Sequence, residues 1–428
     1  MSPLPEPTRL PGFGDDSAPE IMRLFIVSHT PHYRIGTGWA AWGATVREVD
    51  ALATLFAEVV HLAPAYEEAA PASALPYQAR NVRVEPVRPA GGRGWAAKAC
   101  ILLRYPGYAW AIRRGFRHAD AVHVRCPANL SLLAACLLGF SRKPRRRWIK
   151  YAGNWRPDGA EPLSYRLQRA WLERGWHGGV VTVNGEWPGQ PRHVRSFYNP
   201  CLTQAELDHA RSVAARKVLT EPLRLLFVGR LEEAKGVGRC LEILRRFQAT
   251  GGKAVLDLVG DGPNRGRYEA TARDMGLGAS VRFHGWLGRT DLDLCYERTH
   301  VALLPSLSEG WPKVLSEAMA FGVVPLAGRV GCIGPYLEQF GTGEAVEVRD
   351  LDGFVRRLSL LVAHPDGWED QSRRAALAAG QFTYERHLER VREILELPSG
   401  VQSMEGHRHF SAGSGRGGPE AAGSRHRW

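Results

Sequence analysis

The stretch VALLPSLSEGWPKVLSEAMAFG, residues 301–322, is the most informative in the chain. Val301–Pro305 is a short, mostly apolar run that reads as a buried strand. A polar loop holding Glu309 and Gly310 follows, and Pro312 then starts a helix, because proline lacks an N–H and suits the first helical turn. Val314, Leu315, Ala318, Met319 and Gly322 make one packed face of that helix. Strand, loop and helix in this order form a βα unit, and the unit recurs on both sides. Strands are expected at Leu223–Val228, Ala254–Val259, Val281–His284 and Val323–Ala327, with helices beginning near Val237, Asn264, Asp291 and Trp311. Repeated βα units build a parallel sheet with helices on both faces.

The N-terminal half follows the same grammar less regularly. Strands are expected at Arg23–Ser28, Val59–Ala63, Val82–Val87, Ala121–Arg125, Trp148–Ala152 and Val180–Asn184. Helices are expected at about Trp39–Glu58, Trp95–Arg117, Asn129–Leu138 and Leu163–Arg174. The pattern breaks at Gly185–Pro200, rich in Gly, Pro and Arg, and restarts at Leu223. The 428 residues therefore divide into a loose N-terminus (1–20), a Rossmann-like domain (21–200), a second one (201–383), an amphipathic closing helix (384–397) and a tail (398–428). The tail is Gly/Ser/Arg-rich with little to bury and reads, like the N-terminus, as disordered.

Composition narrows the class. With 44% hydrophobic and 23% charged residues the chain is an ordinary globular protein. Its seven cysteines are scattered and odd in number, and no Cys-x-x-Cys occurs. That suggests reduced thiols in a cytosolic protein, not a disulfide frame or a zinc site. No apolar run approaches the roughly 20 residues of a membrane span, and residues 1–20 do not resemble a signal peptide. The expected location is cytoplasmic, soluble or peripheral at the inner face of the plasma membrane. The formal charge of +12 is concentrated: residues 91–150 hold thirteen Lys/Arg and one acid, Asp120. Aromatics interleave with these cations, but no nucleic-acid recognition motif accompanies them. An anionic membrane surface or a lipid-diphosphate acceptor fits better, at roughly 1 kcal/mol per basic residue near the surface, and a plain solvated helix face is the other reading.

Ligands of open α/β sheets bind beyond the carboxyl ends of the strands, so the residues just after each strand carry the chemistry. Gly229-Arg230-Leu231 follows one strand, and Lys235-Gly236 opens the next helix, which suits a diphosphate. Gly262, in Gly260-Asp261-Gly262-Pro263, permits close backbone approach. Main-chain groups at Gly285-Trp286-Leu287 could read the edge of a base. Glu309 and Glu317 can face one cleft, where carboxylates accept hydrogen bonds from sugar hydroxyls while the helix N-terminus faces phosphate.

These segments occur in order: GRL…KG, GDGP, F-x-G-x-L and S-x-S-E-G-x-P…E-A-M-A-x-G, between about Leu223 and Val346. The set resembles the family 4 (group 1) glycosyltransferases. The resemblance implies an α/β GT-B fold, with two Rossmann-like domains facing an interdomain cleft. It implies transfer, with retention, of a hexose-type sugar from a UDP-, GDP- or ADP-sugar. The hydroxyl acceptor would be a glycan or lipid-linked molecule in cell-surface polysaccharide or glycolipid assembly. Arg230 and Lys235 would bind the donor diphosphate and Glu317 the ribose. Glu309, with the Gly310-Trp311-Pro312 backbone, would contact the transferred sugar and its phosphate, and the Gly285–Leu287 main chain the base. No metal or other cofactor is implied. No carboxylate is placed as a nucleophile, which favours front-face displacement.

The N-terminal half departs further. Gly36-Thr37-Gly38 stands where the family carries a glycine loop facing the donor phosphates. It is no dinucleotide fingerprint, since Ala41 replaces the third glycine and no acid closes the second strand. Arg125 stands where many relatives place an active-site histidine, with His123 two residues earlier on the same strand face. Arg125 reads either as an electrostatic stabiliser or as the partner of a carboxylate. Asn154 and Trp155 would offer the acceptor a hydrogen bond and a stacking face. Two other readings compete: a GT-B sugar-nucleotide epimerase, which would turn over donor alone, and a non-catalytic sugar- or membrane-binding protein, which would tolerate loss of Glu309 and Lys235.

Overall fold

The computed structural model describes residues 22–90, 95–157 and 161–398. The expectations for 1–20 and, from Ser399 onward, for the tail lie outside the described residues. Two sheets form. In the first, Val194–Ser196, Val180–Val183, Arg146–Tyr151, Ala121–Cys126, Arg23–Val27, Glu58–Tyr66 and Val82–Val87 pair in parallel, and a partly antiparallel extension through His32–Ile35, Gly38–Trp42 and Ala74–Pro76 joins at Glu58–Tyr66. The second runs Val281–Gly285, Ala254–Val259, Leu223–Val228, Val301–Leu304, Val324–Gly328 and Glu344–Val346, all parallel.

In each sheet the chain winds outward from its first strand, then returns to that strand's other side. The switch points fall between Arg23–Val27 and Ala121–Cys126, and between Leu223–Val228 and Val301–Leu304. A crevice opens at such points, because the connections on the two sides diverge. Buried Val, Leu, Ile and Phe side chains from strands and helices fill the cores, the larger one lying around the second sheet.

Three departures from expectation matter. The helix expected at Trp39–Glu58 spans only Gly43–Ala53, because His32–Ile35 and Gly38–Trp42 form an antiparallel hairpin first. Tyr33, Ile35, Trp39 and Trp42 are strand-favouring residues, and Gly36 supplies the turn at φ +55°. The Gly185–Pro200 break contains a strand, Val194–Ser196, which extends the first sheet. The closing helix, Tyr384–Leu395, is capped by the Thr383 side chain, which accepts from the Arg386 N–H. It returns to the first domain, burying Val391 and Leu395 among Met22, Leu24, Ile26 and Phe56.

Candidate active site

The loops after three neighbouring strands of the second sheet are knitted together by main chain. Leu231 N–H donates to Asp261 O, and Gly260 N–H to Gly285 O at 2.7 Å. A Cβ at Gly260 would lie 2.0 Å from Gly229 O, and one at Gly262 would lie 2.7 Å from Leu231 O. Only glycine allows these contacts, and Gly260 and Gly285 also take φ values of +126° and +72°. Trp286 is exposed beside them.

The loop after Val301–Leu304 is tied to the start of the helix Val237–Ala249. Leu307 N–H donates to Ala234 O, Ser306 Oγ donates to Lys235 O, and Arg239 Nε donates to Pro305 O at 2.7 Å. These ties bring Lys235 Nζ to 2.7 Å from Glu309 Oε1, with side chains 33% and 11% exposed. Gly310, next along, meets the first domain: a Cβ there would lie 2.9 Å from both Ala152 O and Asn184 Nδ2. The strand ends of the two sheets therefore face each other at Glu309–Gly310. Pro312 is the N-cap residue of the helix Lys313–Ala320, whose N-terminus no side chain caps.

Arg230 is 73% exposed and bridges to Glu232, whereas Glu309 pairs with Lys235. The Trp311 side chain is buried, stacked on Phe382 at 5.5 Å with its Nε1 donating to Ser316 Oγ, so only its backbone can face a ligand. Glu317 lies within the same helix and accepts from Tyr296 Oη at 3.2 Å, with Arg289 Nη1 also at 3.2 Å. Burial pushes the Glu317 carboxyl up, against the pull of Arg289.

On the first domain, Arg125 reaches Glu48, Nη1 to Oε1 at 2.6 Å, so the carboxylate-partner reading is the one realised. Lys150 Nζ lies 2.7 Å from the same oxygen, and Lys313 of the second domain 3.7 Å from Glu48 Oε2. Burial alone would raise the Glu48 carboxyl, but Arg125, Lys150 and Lys313 hold it well below the usual carboxylate range. Two acceptor-side expectations are corrected. Trp155 is 1% exposed and packs edge-on against Tyr151 in the core, so it offers no stacking face to a sugar. His123 is fully buried, stacked on Trp148 at 3.7 Å, and burial holds it neutral, well below the usual histidine range. Asn154 accepts from the Arg156 N–H in a local turn. Gly36 and Gly38 flank the exposed turn of the hairpin, and a Cβ at Gly36 would touch nothing within 4 Å. Sequence reasoning missed Glu48, Arg289 and Lys313. The signal for Glu48 was an acid on the apolar face of a helix, among Thr45, Val49 and Leu52.

Two doubly wound domains with facing strand ends define the GT-B class. The fold matches sucrose-phosphate synthase from Thermosynechococcus elongatus with a TM-score of 0.65 at 17% identity, over 88% of this chain and 98% of that one. It also matches HepE from Anabaena in complex with UDP and glucose, with a TM-score of 0.62 at 14% identity, over 88% and 99%. Residues 211–379 match the family model "Glycosyl transferases group 1". Over 170 residues the chain is 31% identical to glycogen synthase of Mycobacterium tuberculosis (strain H37Rv), covering 40% of this chain and 41% of the relative. The chain thus aligns with about two fifths of the length of that curated relative.

Proposed function

We propose that this chain is a retaining glycosyltransferase that moves a hexose-type sugar from a nucleoside-diphosphate sugar to a hydroxyl of a glycan or lipid-linked acceptor. The observation that carries the reading is the Lys235–Glu309 pair, 2.7 Å apart, at the switch point of the second sheet beside an uncapped helix N-terminus. Lys235 and the N–H groups at the start of Lys313–Ala320 suit the negative charge that grows on a departing diphosphate. Glu309, already engaged by lysine, is better placed to accept from sugar hydroxyls than to attack carbon. In the front-face step the bond from the anomeric carbon to phosphate oxygen breaks. The bond to acceptor oxygen forms on the same face, and the acceptor proton passes to the departing phosphate. Because Lys235 and the N–H groups at the start of Lys313–Ala320 supply positive charge, transfer is expected to need no metal and to be unchanged by a chelator.

The basic stretch supports a peripheral seat on an anionic membrane at the cytoplasmic face. Leu103, Trp110 and Phe140 are exposed on it, with Arg114 over the Trp110 ring at 4.8 Å. Among the described residues no helix is long and apolar enough to cross a membrane. Co-sedimentation with liposomes should rise with anionic lipid content; indifference to that content would remove this part.

The anomeric proton spectrum of the product tests the reaction. Retained configuration is expected, and inversion contradicts the mechanism. Turnover of donor with no acceptor present would favour an epimerase instead.

A further inference from the structure

The distribution of charge across the helix Lys313–Ala320 is uneven. At its Glu317 end the ion-pair network holds three carboxylates, Glu206, Asp293 and Glu317, against two guanidinium groups, Arg47 and Arg289. At its N-terminal end three cations, Arg125, Lys150 and Lys313, converge on the single carboxylate of Glu48. Glu48 is fully buried, and the Lys150, Arg125 and Lys313 side chains are only 5%, 14% and 20% exposed, so water balances the excess only in part. Burial drives Lys150 down to about 7 despite the pull of Glu48, and lowers Lys313 too.

The surroundings are short of hydrogen-bond partners as well. Among the described residues, His123 Nδ1, both ring nitrogens of His387 and the Tyr384 hydroxyl are buried and unpartnered. His387 belongs to the same electrostatic neighbourhood, coupled to Glu48, Lys150, Lys313 and Arg125. Buried polar atoms are normally satisfied, and the unmet groups of His123 and His387 lie in the electrostatic neighbourhood of this cation cluster. Lys313 is three residues beyond Gly310, where the two domains touch, so the cluster adjoins the Glu309 seat.

We propose that Arg125, Lys150 and Lys313 form a second anion subsite, built by both domains, that receives a phosphate group next to the donor seat. The phosphate comes either from the nucleotide or from a phosphorylated acceptor. The location rests on the reading of the cleft as a donor site, whereas the phosphate chemistry rests on the cation excess alone.

The test titrates UDP, and inorganic phosphate with and without saturating UDP, into the full-length wild type, K313Q and K313R. Melting temperature and circular dichroism confirm the fold. K313Q removes one cation of three and leaves Glu48 paired. The expected result is a loss of about tenfold in affinity for at least one probe in K313Q, restored in K313R. A loss for UDP assigns the subsite to a donor phosphate. A loss for inorganic phosphate with UDP already bound assigns it to an acceptor phosphate. Unchanged affinity for both probes in a folded K313Q overturns the proposal. A wild type without UDP affinity would instead count against the UDP-donor reading, and the phosphate titration would still decide this one.

Discussion

Lys235 and Glu309 hold each other at 2.7 Å, yet a third of the lysine side chain still faces solvent, which leaves it able to meet a ligand. Removing either residue should reduce transfer by about 100-fold or more, the scale of losing one charge-stabilising donor. The melting temperature should stay nearly constant, because neither side chain belongs to a core. Arg230→Ala should cost at least about tenfold less than Lys235→Ala in kcat/KM, since Arg230 is exposed and tied to Glu232. Equal effects would restore Arg230 to the centre of the site. Trp311 is the opposite case: its ring packs among Tyr336, Phe340 and Phe382. Trp311→Ala should therefore cost about 3–5 kcal/mol in chemical denaturation, through the cavity it leaves.

The elements around the site were legible to different degrees. Leu223–Val228 and Ala254–Val259 were readable end to end, because a fully buried parallel strand is a short apolar run bounded by turn residues. The hairpin at His32–Trp42 was not, since its strand residues run straight into the apolar period of Gly43–Ala53. Glu309 and Lys235 could be named because strand-end loops have a fixed place in the fold. His123 was misread because position along a strand does not reveal which layer a side chain enters, and Trp155 because a residue in the loop after a strand can turn back into the core. The Glu48 cluster joins residues 48, 125, 150 and 313, a juxtaposition made by two domains and visible in no local pattern. The closing helix offers a test at this scale. Val391→Asp places an unpaired charge in the core of the first domain and should lower the melting temperature sharply, whereas Glu389→Ala, on the same helix but exposed, should not.

Across the whole molecule, buried histidines set the response to acid. Burial lowers His32, His177 and His300 to about 4 and His387 to about 3, and holds His61 and His123 well below 6.5. Between pH 6.5 and 4 these histidines therefore bind more protons in the unfolded chain than in the folded one. The stability present above pH 6.5 is lost as the pH falls through that window, by about 1.4 kcal/mol per histidine for each pH unit separating its two pKa values. Lys150 and Lys217, lowered to about 7, act in the same sense at higher pH, where stability grows as the unfolded chain gives up its extra protons. The melting temperature should climb steeply from pH 4 to 6.5 and hold or rise to pH 9; a maximum near pH 5 would contradict this balance. The claim on which everything else depends is that the cleft between the domains seats a nucleotide sugar through Lys235 and Glu309. Thermal melting of the wild type and Lys235→Ala with UDP-, GDP- and ADP-sugars tests it most directly, since a bound donor stabilises by mass action. One class of donor should raise the wild-type melting temperature, and Lys235→Ala should lose most of that rise; no rise with any donor, or an equal rise in both proteins, would rule out a nucleotide-sugar seat at Lys235.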